Sequence, residues 1–165
     1  GYILVTAHRS ENVDNIEYLH KIIEATGRIA KRFKREVIYP MHPRTKSKLT
    51  SFEIPKGVRI MDPLGFYDFN HLLKESFCVV SDSGTAAEEG LFYKVPNVSL
   101  RMATERPETV ESGATIISGM DLNNIVESVE TAVSLPWSAK YDFAEEHSPS
   151  SVVINSIRSQ ITNFF

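Results

Sequence analysis

Short apolar segments rich in β-branched residues alternate with longer helical patterns along the chain. Residues 2–6, 37–40 and 77–81 are the clearest of these short segments, and their largely unbroken apolar character is typical of strands buried on both faces. Apolar residues from Ile16 to Phe33 recur at a spacing close to 3.6, which indicates an amphipathic helix. The alternation predicts a doubly wound parallel α/β sheet with helices on both faces, a Rossmann-like fold.

The rest of the chain continues this pattern. Further strands are predicted at residues 58–61, 97–100 and 114–117, and further helices at residues 45–52, after Gly65, at 86–92, at 122–133 and at 151–165. The length of 165 residues fits one domain over residues 1–165. We expect the helix 151–165 to pack on this domain or to cross to another. Because the first strand begins at residue 2, we expect a fragment of a longer protein whose N-terminal domain is missing.

Composition excludes several classes of function. The 18 basic and 21 acidic residues give a net charge of −3, so a nucleic-acid partner is not expected. No apolar run approaches the roughly 18 residues of a membrane span, so we expect no membrane partner. A single cysteine, Cys78, rules out a disulfide framework. The chain has neither metal-ligand spacing nor a Gly-x-Gly-x-x-Gly fingerprint, so we expect no metal and no cofactor.

Polar residues follow the predicted strands at the edge where α/β sheets bind ligands. His8 and Arg9 come directly after the first strand, and His42 follows the second. A histidine can move a proton near neutral pH, and an arginine can hold a phosphate with two parallel hydrogen bonds. Loop residues that bond only to backbone or cap their neighbours would give the same pattern.

Residues 81–89 follow the fourth strand and open a helix. Small residues at such a place allow backbone N–H groups to approach an anion, and the helix N-terminus favours negative charge. A simple N-cap at Asp82 or Ser83 explains this segment equally well. Of the two carboxylates that follow, Glu88 and Glu89, either would suit a ribose diol better than a phosphate, or could be a solvated helix residue.

Arginines also follow the fifth strand, within residues 101–106. Arg101 and Arg106 would suit a diphosphate at this edge of the sheet. The alternative is a surface loop in which Arg106 pairs with Glu105 or Glu108, an interaction that contributes little in water.

Three motifs are more specific together than any one alone. They are Thr-Ala-His-Arg-Ser-Glu-Asn at 6–12, Ser-Asp-Ser-Gly with Glu-Glu at 81–89, and Thr-Glu-Arg-Pro-Glu at 104–108. In this order and spacing they resemble the non-hydrolysing UDP-N-acetylglucosamine 2-epimerase family, from residue 2 to at least residue 130. The resemblance implies the C-terminal half of a two-domain GT-B enzyme, with the substrate in the cleft between two Rossmann-like halves.

The resemblance also implies roles for individual residues. His8 matches a histidine that lines the cleft and contributes to catalysis, while Arg9 and His42 resemble residues of an effector site for a second UDP-sugar. The residues implied to bind UDP are Phe69 near the uracil, Ser83, Gly84 and Thr85 at the phosphates, Glu89 at the ribose hydroxyls, and Arg106 at the substrate site.

The implied reaction interconverts UDP-GlcNAc and UDP-ManNAc by elimination and re-addition of UDP. The implied setting is a cytoplasmic homodimer that makes precursors of cell-surface polysaccharides and takes a UDP-sugar as its partner. This half would bind UDP but would be inactive alone, because the catalytic carboxylates of the family lie in the missing domain.

Three positions depart from the family pattern and keep alternatives open. Ser10 replaces a second arginine, Thr85 replaces a glycine, and Arg44 replaces an asparagine. Thr85 also looks like the related epimerases of UDP-activated 2,6-dideoxy sugars, while Ser10 and Arg44 bear on effector regulation. A hydrolysing 2-epimerase, a GT-B glycosyltransferase and a non-catalytic regulatory domain are the remaining alternatives.

Overall fold

The structure, a computed structural model, describes residues 1–49, 52–135, 150, 153–154 and 157–158. In this part of the chain the predicted alternation of strands and helices is confirmed. The strands are β1 Ile3–Thr6, β2 Val37–Pro40, β3 Val58–Met61, β4 Cys78–Ser81, β5 Asn97–Ser99 and β6 Thr115–Ile117. The helices are α1 Ser10–Val13, α2 Ile16–Phe33, α3 Pro43–Lys46, α4 Phe66–Glu75, α5 Gly84–Tyr93, α6 Pro107–Glu111 and α7 Leu122–Ser134, and a 3-10 turn, Ser47–Leu49, follows α3.

The six strands form one parallel sheet in the order β3-β2-β1-β4-β5-β6. The chain winds outward from β1 to β3, then returns to place β4 on the other side of β1, so the winding direction reverses between these two strands. A reversal of this kind leaves a crevice beyond the carboxyl ends of the two strands, where ligands bind in doubly wound sheets. The Rossmann-like fold therefore directs attention to the residues that follow β1 and β4.

Alternate strand residues face two apolar layers, as the period of a strand requires. Ile3, Val5 and Cys78 pack in the layer that includes α2 and α7. Leu4 and Val79 pack in the opposite layer with α4 and α5. Burial on both faces explains why these strands are apolar at consecutive positions.

Local signals fix the ends of α2. The Asn15 side chain accepts hydrogen bonds from the backbone N–H groups of Glu17 and Tyr18, at 3.0 and 3.3 Å, and so caps the first turn. The helix ends at Lys34, which adopts the left-handed conformation with φ of 51°. Near the middle of the helix, Gly27 lies so close to Pro55 that a Cβ added to the glycine would be 2.4 Å from the proline Cβ.

The structure differs from the predicted elements in three places. Helices α1 and α6 were not predicted, and each spans only four or five residues. The helix predicted at residues 45–52 begins earlier, at Pro43, and tightens into the 3-10 turn. Most of the helix predicted at residues 151–165 lies outside the described residues, as does the Pro-Trp-Ser break at 136–138. Residues 153–154 and 157–158 are helical and exposed.

The buried thiol of Cys78 should make stability depend on alkaline pH. Burial raises the pKa of this thiol from 9.0 to about 12. The folded chain therefore holds the proton more tightly than the unfolded chain, and stability that is complete below about pH 9 is lost as the pH rises towards about 12. We expect the free energy of unfolding of the wild type to fall with rising pH more steeply than that of Cys78→Ala. The two slopes should differ by up to about 1.4 kcal/mol per pH unit.

Urea denaturation of both proteins at several pH values between about 8 and 11 measures this slope. The slope separates the titration from the packing cost of the substitution, which is the same at each pH. Equal slopes for the two proteins would contradict the prediction.

Candidate functional site

Most of the predicted site residues lie near the point where the winding of the sheet reverses. His8 and Arg9 follow β1, Ser83 lies between β4 and α5, and Arg106 lies in the loop that follows β5. These three strands are neighbours in the sheet, so their carboxyl ends meet at one edge.

Asp82 joins the ends of these strands. It has no exposed surface, and its carboxylate accepts the backbone N–H of Arg9 at 2.9 Å, the N–H of His8 at 3.1 Å and the side-chain amide of Asn12 at 3.0 Å. The same Asn12 nitrogen donates to the carbonyl of Leu100, 3.2 Å away, beyond β5. Of the two N-cap candidates in the sequence, Asp82 and Ser83, the structure has Ser83 at the N-cap of α5, while Asp82 bonds to the loop after β1.

His8 and Arg9 project from the loop that Asp82 holds. The His8 side chain is 58% exposed, and its Nδ1 lies 3.4 Å from Asp82 Oδ1. Arg9 contacts Glu11 at 3.7 Å and Glu105 at 3.5 Å. Neither residue is a loop side chain bonded only to backbone, because both lie against carboxylates.

The start of α5 combines a capped turn with small side chains. The Ser83 hydroxyl accepts the N–H of Ala86 at 3.4 Å, and the Ser83 N–H donates to the hydroxyl of Ser81 at 2.9 Å. Gly84 follows, and a Cβ built there would be 3.8 Å from Arg106 Cγ, so the arginine stem lies over the first turn. Thr85 is exposed. A helix N-terminus with a cation beside it favours an anion.

The two carboxylates of α5 have different surroundings. Glu88 forms an ion pair with Arg106 through Nε, and the geometry of this contact is not that of a hydrogen bond. Glu89 is half-buried and accepts the side-chain amide of Asn70 on α4 at 3.3 Å. Burial, and then the nearby charge of Glu88, raise the pKa of Glu89, while the Asn70 hydrogen bond opposes them. The sequence held no signal for Asn70, because only the packing of α4 on α5 brings it to Glu89.

The loop after β5 contains an ion network that the sequence did not predict. Glu105 contacts Arg101 at 2.6 Å and Arg9 at 3.5 Å. The hydrogen bond from Arg101, helped by the charge of Arg9, lowers the pKa of Glu105 to about 2. Of the two pairs considered for Arg106, with Glu105 or Glu108, neither is the ion pair in the structure, since Arg106 pairs with Glu88 instead.

The last two predicted site residues lie on α4 and before α3. Phe69 is half-buried and packs against the apolar layer beneath α4 and α5, one residue from Asn70. His42 is exposed and N-caps α3, because its Nδ1 accepts the N–H of Arg44 at 3.2 Å. Arg44 in turn donates to Asp14 at 2.6 Å, so this segment is tied to the loop between α1 and α2.

The described residues hold neither a cluster of metal ligands nor a membrane-spanning helix. No group of three or more His, Cys, Asp or Glu side chains is arranged to hold a metal ion in the part of the chain that is described. Within the same residues, no helix has the length and apolar character needed to cross a membrane.

A family model described as UDP-N-acetylglucosamine 2-epimerase matches residues 1–151. The chain belongs to the UDP-N-acetylglucosamine 2-epimerase family. The family match covers all three motifs and every predicted site residue.

Individual members of this family are similar at the level of sequence and of structure. A UDP-N-acetylglucosamine 2-epimerase of Methanococcus maripaludis is 38% identical over 135 residues, which are 78% of this chain and 37% of that protein. A UDP-2,3-diacetamido-2,3-dideoxy-D-glucuronate 2-epimerase of Pseudomonas aeruginosa is 36% identical over 81% of this chain and 37% of that protein.

A crystal structure of the Methanocaldococcus jannaschii UDP-GlcNAc 2-epimerase in complex with UDP-GlcNAc and UDP has a TM-score of 0.80 to this chain. The identity is 36%, over 95% of this chain and 45% of that one. The chain thus spans less than half the length of the 2-epimerases that it matches.

Proposed function

We propose that this chain is the UDP-binding half of a UDP-N-acetylglucosamine 2-epimerase. The complete enzyme interconverts UDP-GlcNAc and UDP-ManNAc by eliminating UDP and adding it back with C2 inverted. The observation that carries the proposal is the arrangement of Ser83, Gly84, Glu89 and Arg106 around the first turns of α5. These turns lie where the winding of the sheet reverses, in a chain that belongs to the 2-epimerase family.

Elimination of UDP places negative charge on the leaving diphosphate, which the enzyme must stabilise. In this chain the free N–H groups at the start of α5 and the guanidinium of Arg106 serve that purpose, with Ser83 and Thr85 as hydroxyl donors. The small side chain of Gly84 lets the diphosphate approach the backbone. Arg106 is held beside α5 by Glu88 before substrate binds.

The nucleoside end of UDP lies against α4 and α5 in this proposal. Glu89 accepts hydrogen bonds from both ribose hydroxyls, which requires an ionised carboxylate. Because the pKa of Glu89 is raised, this carboxylate should become protonated at a higher pH than an ordinary glutamate. UDP binding should therefore weaken at that higher pH as the solution is acidified. Phe69 supplies the aromatic contact near the uracil, and Asn70 orients the Glu89 carboxylate.

The remaining elements of the proposal concern the complete protein. A second Rossmann-like domain closes the cleft in a GT-B architecture, with residues 1–165 as one domain and 151–165 as its terminal helix. The enzyme is a cytoplasmic homodimer that supplies precursors of cell-surface polysaccharides, and Arg9 and His42 belong to an effector site. His8 contributes to catalysis from this half, and the other catalytic groups come from the second domain, so this chain alone binds UDP but is inactive.

Calorimetric titration of the chain with UDP tests the binding half of this proposal. We expect measurable binding by the wild type and at least about tenfold weaker binding by Glu89→Ala and by Arg106→Ala, since each loses charge-assisted hydrogen bonds. Glu130→Ala is the control, because Glu130 lies on α7 and pairs with Arg32, remote from α5.

Unchanged affinity in both site variants would contradict the site assignment. If the wild-type chain alone shows no binding, the same three variants are titrated in the complete protein. Failure to bind UDP there would overturn the proposal.

The Pseudomonas aeruginosa relative favours a second candidate, a 2-epimerase of a different UDP-activated sugar. That relative is 36% identical to this chain, close to the 38% of the UDP-GlcNAc enzyme. Incubating the complete protein in D₂O with each UDP-sugar separates the two, because deuterium enters C2 only of the sugar that reacts.

A further inference from the structure

The imidazole of His8 lies against a buried carboxylate on one side and faces outward on the other. Nδ1 is 3.4 Å from Asp82 Oδ1, while the ring as a whole is more than half exposed. We propose that Asp82 is a positioning residue for His8, which holds the neutral ring with its proton on Nδ1 and presents Nε2 as the free acceptor. The consequence for turnover rests on the proposed function, whereas the tautomer itself does not.

Asp82 is fixed well enough to perform this role. Its carboxylate has no exposed surface and accepts hydrogen bonds from two backbone N–H groups, those of His8 and Arg9, and from the amide of Asn12. All three contacts are donations to the carboxylate, so its oxygens act as acceptors. The Asp82 carboxylate accepts the backbone N–H of His8 and also lies against the His8 ring, so it contacts both the main chain and the imidazole of this residue.

A neutral imidazole has one nitrogen that donates and one that accepts. A nitrogen lone pair that faces a carboxylate oxygen is repelled by it, whereas an N–H group is attracted, so the carboxylate of Asp82 favours the Nδ1–H form of His8. Nε2 lies on the far side of the ring and keeps its lone pair, directed away from Asp82. An orienting carboxylate of this kind fixes the tautomer and the direction of a histidine that moves protons.

His42 provides an internal reference with the opposite tautomer. Its Nδ1 accepts the backbone N–H of Arg44 at 3.2 Å, so the proton of the neutral ring must be on Nε2. The two histidines should therefore show opposite patterns in one spectrum of the same sample.

Long-range proton–nitrogen correlation spectra of the ¹⁵N-labelled chain, at a pH of about 8.5 where imidazoles are neutral, measure both tautomers. We expect Nδ1–H for His8 and Nε2–H for His42 in the wild type. In Asp82→Asn we expect His8 to move towards Nε2–H, the form that imidazoles favour in water, with His42 unchanged.

Asn12→Ala is the matched variant, because it removes a partner of Asp82 and of Leu100 but leaves the contact between Asp82 and His8 in place. It should loosen the loop and leave the His8 tautomer as in the wild type. Nε2–H for His8 in the wild type overturns the proposal, even if Asp82→Asn does not fold. An unchanged tautomer in folded Asp82→Asn, or the same shift in Asn12→Ala, overturns it as well.

Activity of the complete protein gives the second readout. With Asp82→Asn we expect kcat to fall about 100-fold with little change in KM, as for loss of a proton-transfer group, and Asn12→Ala to retain most of its kcat. A complete protein with no epimerase activity would refute the proposed function, while the tautomer of His8 would still decide the role of Asp82. An equal loss of kcat in the two variants would assign Asp82 a purely structural role.

Discussion

Asp82→Ala is expected to lower the free energy of unfolding by roughly 3–5 kcal/mol, because several hydrogen bonds to one buried charge are lost together. The substitution leaves the N–H groups of His8 and Arg9 and the amide of Asn12 without their acceptor. Asn12 is itself buried, so water cannot readily replace the lost carboxylate. Urea denaturation measures the loss.

Asp62→Ala is the matched control for this substitution. Asp62 is 84% exposed and forms an ion pair with the exposed Lys46, at 3.5 Å, so its removal should change stability by less than about 0.5 kcal/mol. A loss below about 1 kcal/mol for Asp82→Ala would contradict the prediction. It would mean that the ends of β1 and β5 remain in place without the carboxylate.

Gly27→Ala is expected to destabilise the fold by about 1–3 kcal/mol through overpacking. Alanine in place of glycine within a helix ordinarily gains about 1 kcal/mol. Here the new Cβ would be 2.4 Å from the Cβ of Pro55 and 2.8 Å from its Cγ. The proline ring is not the end of a flexible side chain, so helix α2 or the segment before β3 must move.

Gly84→Ala is the control for the effect of a methyl group on a helix. A Cβ at Gly84 would make only ordinary contacts, at 3.7 Å to Glu105 and 3.8 Å to Arg106. Thermal or urea unfolding should therefore show little loss for Gly84→Ala. A gain in stability for Gly27→Ala would show that α2 and Pro55 separate without cost.

The sequence predicts the sheet well because its strands are buried on both faces. Consecutive apolar residues in β1, β2 and β4, in a chain where such segments alternate with amphipathic helices, are typical of strands buried on both faces. Helices α1 and α6 escaped prediction because each is a single turn, too short to display an apolar period.

The site could be predicted by position but not by contacts. That His8, Ser83 and Arg106 lie at one edge follows from the parallel order of strands. The partners of these residues come from distant segments, as with Glu88 for Arg106 and Asn70 for Glu89. The role of Asp82 was hidden for the same reason, since its donors are 70 to 74 positions away.

Strand β1 precedes the other five strands of this sheet along the chain, and it is one of the two central strands. Ile3 pairs with Val37 of β2 on one side and with Cys78 of β4 on the other. Strand β1 is therefore synthesised before both of the strands that pair with it. Closing the longer loop adds little entropy cost, but pairings between distant segments slow folding. Until β4 leaves the ribosome, one edge of β1 has no partner strand within this domain, and an unpaired apolar edge of this kind favours aggregation of the nascent chain.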